Sequence, residues 1–85
     1  MIFTVIWLPA ADEQLAELWM TAADHDAVNR AVDWIQRDLR MDAAAKGVQV
    51  GSYWFFSVDP LGVWFVLNEG DRKVEIVSVV GMVES

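Results

Sequence analysis

The sequence predicts an α+β fold in two layers, ordered β-α-α-β-β-β, with a helical hairpin packed on one face of an antiparallel sheet. Three observations predict it. First, three aromatic or β-branched runs between Gly51 and Val80 are separated by two turn signals, Asp59 to Gly62 and Glu69 to Arg72, which is the pattern of an antiparallel meander. Second, two stretches before Gly47 carry apolar residues at helical spacing. Third, a short run of β-formers opens the chain.

That opening run is Ile2 to Leu8, read as a strand. Pro9 ends it and suits the first turn of a helix, where its missing N–H is no loss. Asp12 and Glu13 sit at that helix's positive end. Ala11, Leu15, Leu18, Trp19 and Ala22 recur on one helical face, with Glu13, Gln14 and Glu17 on the other. Thr21 to Asp26 is a polar break, and Asp24 is placed to cap a second helix from about His25 to Ala43. Val28, Ala31, Val32, Ile35 and Leu39 form its apolar stripe. Asp26 with Arg30 and Asp33 with Arg37 are acid-before-base pairs, worth ~0.2–0.5 kcal/mol each. Trp34 lies off the stripe and is assigned to packing on the first helix. Ala44 to Val50 reads as a loop whose Gly47 ends the helix, and Gly81 to Ser85 reads as an unanchored tail.

Register counting sorts the meander into two faces. A four-residue loop at Asp59 to Gly62 sets Val58 opposite Val63, Phe56 opposite Phe65 and Trp54 opposite Leu67. A turn on Gly70 and Asp71 sets Leu67 opposite Val74 and Phe65 opposite Ile76. These residues form a core face. The other face carries Tyr53, Phe55, Ser57, Trp64, Val66, Asn68, Lys73, Glu75, Val77 and Val79. It is too apolar for a solvated face. Tyr53, Phe55, Trp64, Val66, Val77 and Val79 are therefore the candidate partner-binding residues, since aromatics dominate interface hot spots.

Composition bounds the function. Eighty-five residues make a single domain, 1–85. A chain this short buries only about 60% of its surface, so it needs a dense core. A content of 55% hydrophobic residues, with five Trp and four Phe, supplies it. There is no Cys, hence no disulfide and no thiolate metal site. Met1 to Leu8 is too short and lacks the basic leader of a secretory signal, and no apolar run reaches the ~20 residues of a membrane span. These features point to a cytoplasmic protein. Six basic against thirteen acidic side chains give a net charge of −7. That argues against broad contact with a nucleic-acid backbone and fits a basic protein partner.

No catalytic or cofactor constellation is visible. His25 is the only histidine, and its neighbours Asp24 and Asp26 read as cap and solvated residues. Asp12 with Glu13, and Asp38 with Asp42, read as solvated carboxylates, not a metal or acid–base pair. Gly47-Val-Gln-Val-Gly51 matches neither a dinucleotide fingerprint nor a phosphate loop. Ser52, Ser57, Ser78 and Ser85 have no histidine partner in the pattern. Base stacking on Tyr53, Phe55 and Trp64 would have only Lys73 for phosphate contact.

From about Phe3 to Met82 the chain resembles the RelE/ParE superfamily of bacterial toxin–antitoxin and plasmid-stabilisation systems. The carrying segments are Val5-Ile-Trp-Leu-Pro-Ala-Ala-Asp12, Gln14-Leu-Ala-Glu-Leu-Trp19, Ala31-Val-Asp-Trp-Ile-Gln-Arg-Asp-Leu39 and the hairpin Asp59-Pro-Leu-Gly-Val-Trp-Phe65. The resemblance implies a small toxin neutralised by an antitoxin that drapes a segment over it. RelE-type members cut messenger RNA on the ribosome with basic side chains on the open sheet face and a ring-bearing residue near the C-terminus. ParE-type members inhibit DNA gyrase. This chain has Gly51-Ser-Tyr-Trp54 where many members place an Arg, and Gly81-Met-Val-Glu-Ser85 offers neither base nor ring. No catalytic residue is carried over. The expectation is action by protein binding, through an antitoxin or through self-association. The alternatives are a ribonuclease using Lys73, Arg72 and Tyr53, and a non-toxic homodimer.

Overall fold

The structure is a computed structural model that describes residues 2–82. Its elements are β1 (Thr4–Trp7), α1 (Pro9–Thr21), α2 (His25–Lys46), β2 (Val48–Val50), β3 (Tyr53–Val58), β4 (Leu61–Asn68) and β5 (Lys73–Gly81). They form an α+β fold: one five-stranded sheet in the order β1-β5-β4-β3-β2, with both helices on one face.

The helices begin and end where local chemistry requires. Leu8 closes β1 by donating its N–H to Ile76 O at 3.0 Å, and its own carbonyl accepts the first helical bond, from Asp12 N. Pro9 then opens α1 at N1. Asp24 caps α2, its Oδ1 accepting from Ala27 N at 3.1 Å, a contact worth about 1 kcal/mol. The α1–α2 turn is packed by Trp19 stacked on His25, with ring centroids 3.9 Å apart. At Asp42 the backbone leaves helical geometry, at φ −163° and ψ 80°. The break has two results. Arg40 O accepts from Phe3 N at 2.7 Å, tying α2 to the start of the sheet. Asp42 Oδ1 accepts from Ala45 N at 3.3 Å and so caps the last helical turn. Gly47 ends that turn, donating to Ala43 O.

The sheet is antiparallel except at one ladder. β1 runs parallel to β5, pairing Val5 with Val74 and Trp7 with Ile76. An all-antiparallel sheet is therefore corrected to a mixed one. A chain that leaves β1, makes a helical hairpin and returns through four strands, each reversing the one before, enters β5 in the direction in which it left. β2 is the second correction. Val48–Val50, expected as loop, pairs with Tyr53 to Phe55 around Gly51, whose φ of 63° suits a residue without Cβ. The β3–β4 hairpin is also tighter than expected. Val58 pairs with Leu61, Phe56 with Val63 and Trp54 with Phe65, so Asp59 and Pro60 alone make the turn, with a cis bond between them. A shift of two residues preserves which side chains share a face. The β4–β5 turn follows the expected register, with Leu67 opposite Val74 and Phe65 opposite Ile76. Asn68 closes it, accepting from Asp71 N at 3.1 Å.

The core lies between helices and sheet. Ile35 and Leu39 of α2 meet Val63, Phe65, Val74 and Ile76, and all six are fully buried. Each such side chain contributes roughly 1.5–3 kcal/mol relative to exposure. Trp54 packs at the rim, 6.2 Å from Phe65 between centroids. Trp34 does not pack on α1. It is half exposed, with the Arg37 guanidinium 4.9 Å above its ring. The tail is anchored as far as Met82: Gly81 belongs to β5, and Met82 N donates to Pro60 O at 2.7 Å. Residues 83–85 lie outside the described part of the chain.

The β4–β5 ladder is interrupted once. Phe65 pairs with Ile76 but Trp64 pairs with Ser78, so β5 has one extra residue, Val77, at a bulge. Unbroken alternation would place Ser78 in the core opposite Val63. The bulge instead brings Val79 opposite Val63. The backbone it frees is met by α1: Gln14 Oε1 accepts from Val79 N at 2.8 Å and from Ser78 Oγ at 3.2 Å. Beyond Trp7, where β1 ends, this carboxamide stands in for a neighbouring strand.

Two stability measurements check this packing. A Cβ on Gly47 would sit 2.7 Å from Phe65 Cζ, so Gly47→Ala should lower unfolding free energy by about 1–3 kcal/mol in urea melts. Gln14→Leu leaves the Val79 N–H without its acceptor and should cost about 1–3 kcal/mol.

Candidate functional site

The face of the sheet away from the helices has no cover within the described residues. Its residues come from all five strands. Tyr53 and Phe55 stand on β3, with Val50 and Val48 opposite them on β2. Trp64 and Val66 stand on β4, opposite Ser78 and Glu75 of β5. Thr4 and Ile6 of β1 flank Lys73 and Glu75.

The centre of the face is an aromatic pair. Phe55 and Trp64 are directly opposite each other, with centroids 4.8 Å apart and planes tilted by 54°. This geometry is worth about 0.5–1.5 kcal/mol beyond burial. Gly62 makes room for it. A Cβ there would lie 2.7 Å from Phe55 Cζ and 3.2 Å from Met82 Sδ. The far edge of the Phe55 ring therefore occupies the space above Gly62, and Phe55 and Trp64 are both half-buried. Toward the sheet edge the apolar surface becomes open to solvent. Val48 is 65% exposed, Val50 52% and Tyr53 48%.

Four of the six expected contact residues share this face by register, Tyr53, Phe55, Trp64 and Val66, and Val77 is the extra residue at the bulge. Val79 does not share it. It is only 4% exposed and packs in the core, because the bulge reverses its side of the sheet. Four further residues extend the surface: Val48 and Val50, and, near Gly62, Val80 and Met82, both also exposed. The alternation Val48-Gln49-Val50 is a strand signal, but three residues are too few to separate it from a loop.

The charged residues gather at one end. Lys73 opens β5 opposite Asn68 and Thr4, and Glu75 stands two residues on. Arg72 belongs to the preceding turn, at a positive φ of 52°. Tyr53 and Lys73 are on strands separated by β4, about 10 Å apart in backbone spacing, and the intervening Val66 and Asn68 supply no base. Among the described residues no charged or polar side chain is buried. Nor do three His, Asp or Glu among the described residues converge as a metal site. No helix of the described residues is long and apolar enough to cross a membrane. The arrangement is suited to shape-complementary apolar contact.

Comparison with known proteins places the fold. No family model matches the sequence, and no curated protein matches it. Solved structures do. A chain of the toxin–antitoxin complex RelBE2 from Mycobacterium tuberculosis superposes with a TM-score of 0.77 at 14% identity, over 95% of this chain and 99% of that one. A chain of the chromosomal ParDE toxin–antitoxin system of P. aeruginosa gives 0.68 at 12% identity, over 98% of each. The protein HP0892 of Helicobacter pylori gives 0.59 at 14% identity, over 94% of each. The fold of this chain is thus shared, end to end, with chains of RelE- and ParE-type systems.

The aromatic pair makes a coupled prediction. Gly62→Ala should cost about 1–3 kcal/mol in the wild-type background, by displacing the Phe55 ring. In a Phe55→Ala background the same change should cost much less. Equal costs in both backgrounds, read from urea melts of the four proteins, would separate the two residues.

Proposed function

We propose that this chain is a RelE/ParE-like member of a bacterial toxin–antitoxin system that works in the cytoplasm by binding protein, and that an antitoxin holds it neutral. The observation that carries this reading is the chemistry of the open sheet face. It combines an aromatic pair with exposed valines and a tyrosine, and its described residues include a single base. Aromatic and aliphatic side chains at this density anchor protein interfaces. Cleavage of RNA would instead call for several groups to activate a 2′-hydroxyl and to balance the charge developing on phosphorus. The net charge of −7 supports the same choice, because it repels a phosphate backbone. The shared fold with chains of RelBE2 and ParDE supports the toxin–antitoxin setting.

Substitution on this face tests the reading. The probe is the antitoxin, to be sought as the product of any small reading frame beside this one. Trp64→Lys should weaken its binding by roughly 30-fold or more, the loss expected of a hot-spot aromatic. Tyr53→Lys, at a more exposed site, should weaken it with less effect on folding. Unchanged binding in both variants would remove this face as the interface. Sedimentation of the chain alone supplies the other branch: a dimer that Trp64→Lys dissolves would favour a homodimer over an antitoxin complex.

The presence of Tyr53 and Lys73 on one face keeps a ribonuclease as the second reading. Its test is a map of transcript ends after induction. No new ends are expected. Cleavage that vanishes in Lys73→Ala would replace the binding reading with a catalytic one.

A further inference from the structure

The outer side of α2, turned from the sheet, carries a second surface. Over this stretch the helix buries Ala31, Ile35 and Leu39 and exposes Arg30, Asp33, Trp34, Arg37, Arg40 and Met41. At 3.6 residues per turn the exposed set spans about a third of the helix circumference. Trp34 is 50% exposed and Met41 56%. Ile2, 57% exposed, joins them from the start of the chain and lines, with Asp33, Gln36, Arg37, Arg40 and Met41, a depression of about 540 Å³. A smaller one of about 150 Å³ is lined by Arg30 and Trp34 and shares Asp33 and Arg37 with the first. Half of the chain's six bases thus stand on one face of one helix, in a protein of net charge −7.

We infer that this face binds a short acidic segment of a second protein, distinct from the occupant of the open sheet face, with an apolar side chain as its anchor. Charge selects the sign: the two depressions are lined by three guanidinium groups and one carboxylate. Hydrogen bonding selects the chemistry. Arginine only donates, and Gln36 Oε1 already accepts from Trp7 Nε1 at 3.4 Å, which leaves the Gln36 amide nitrogen to donate. A lining of donors calls for acceptors, and carboxylates meet guanidinium groups in bidentate pairs. The apolar anchor follows from Ile2, Trp34 and Met41. Trp34 is positioned before a partner arrives, with the Arg37 guanidinium 4.9 Å from its ring centre, so less side-chain freedom is lost on binding. Tryptophan beside arginine is the composition of an interface hot spot. Nucleic acid fits less well, since the net charge opposes a continuous phosphate chain and Asp33 lies among the bases. A second copy would bring −7 against −7. Both helices lie on the covered side of the sheet, so this site does not rest on what occupies the open face.

The test uses four probes of about eight units: a capped peptide of Glu with two Leu, its Lys/Leu counterpart, a capped all-Glu peptide and a single-stranded DNA. Binding is followed by titration and by backbone amide shifts. The Glu/Leu peptide should bind saturably and shift α2 between Arg30 and Met41. Arg37→Glu should weaken it about tenfold or more. Lys46→Glu, an equal change of charge at an exposed base in the last turn of α2 and outside both depressions, should leave it unchanged. Trp34→Ala, which alters no charge, should weaken it about fivefold or more. The Lys/Leu peptide should not bind, and the all-Glu peptide and the DNA should bind about fivefold more weakly or worse. Absence of saturable binding would overturn the proposal, as would an equal loss in Lys46→Glu. All-Glu peptide or DNA binding as tightly as the Glu/Leu peptide would overturn it as general charge attraction. Self-association of the chain alone that Arg37→Glu dissolves in sedimentation would overturn it in favour of a second copy.

Discussion

Phe65 and Ile76 sit opposite each other on the two middle strands, both fully buried, and their pairing sets the side of the sheet for every residue around them. On the helix side of that pair lie Val63, Val74, Ile35 and Leu39. Immediately beyond it, β5 takes in Val77 as an extra residue. That single insertion keeps Ser78 out of the core, brings Val79 into it, and aligns the freed backbone with Gln14 of α1. One bulge thereby joins the sheet to its first helix and fixes the edge of the open face.

The open face depends on the same pairing by the alternation of strand side chains. With Phe65 turned inward, Trp64 and Val66 must turn outward. Phe55 then meets Trp64 across the ladder, and Gly62 is needed beneath the ring because a Cβ would occupy its space. The helices seal one side of the sheet with aliphatic residues. Nothing in the described chain seals the other. The contrast gives the two faces different physical characters, one sealed in the core and one open to solvent.

Much of this is legible in the residues. Pro9, Asp24 and Gly47 mark helix boundaries because each satisfies or removes a particular backbone group. The face assignments of Tyr53 to Leu67 hold in a hairpin two residues tighter than the pattern suggests, since side-chain direction repeats every two residues. Tertiary structure sets the parts that pattern reading misses. β2 is too short to show periodicity alone, and exists because Tyr53 to Phe55 offer an edge. The parallel β1–β5 ladder depends on chain path, not on local composition. Alternation extended through the bulge puts Val79 on the wrong face. The clue is the polar Ser78 falling at a core position. Trp34 has no partner in the helical pattern except α1, and its actual partner is Arg37, one turn away on the same helix.

Side-chain footprinting with hydroxyl radicals measures the central claim most directly, because it reports the accessibility of individual aromatic and sulfur-bearing residues. The chain would be labelled alone and in complex with its protein partner once that partner is isolated. Tyr53, Trp64 and Met82 should lose much of their reactivity in the complex, while Trp34 and Met41, exposed on the helix side, keep theirs. Unchanged labelling of Tyr53 and Trp64 in a formed complex would contradict the assignment of the open sheet face as the contact surface.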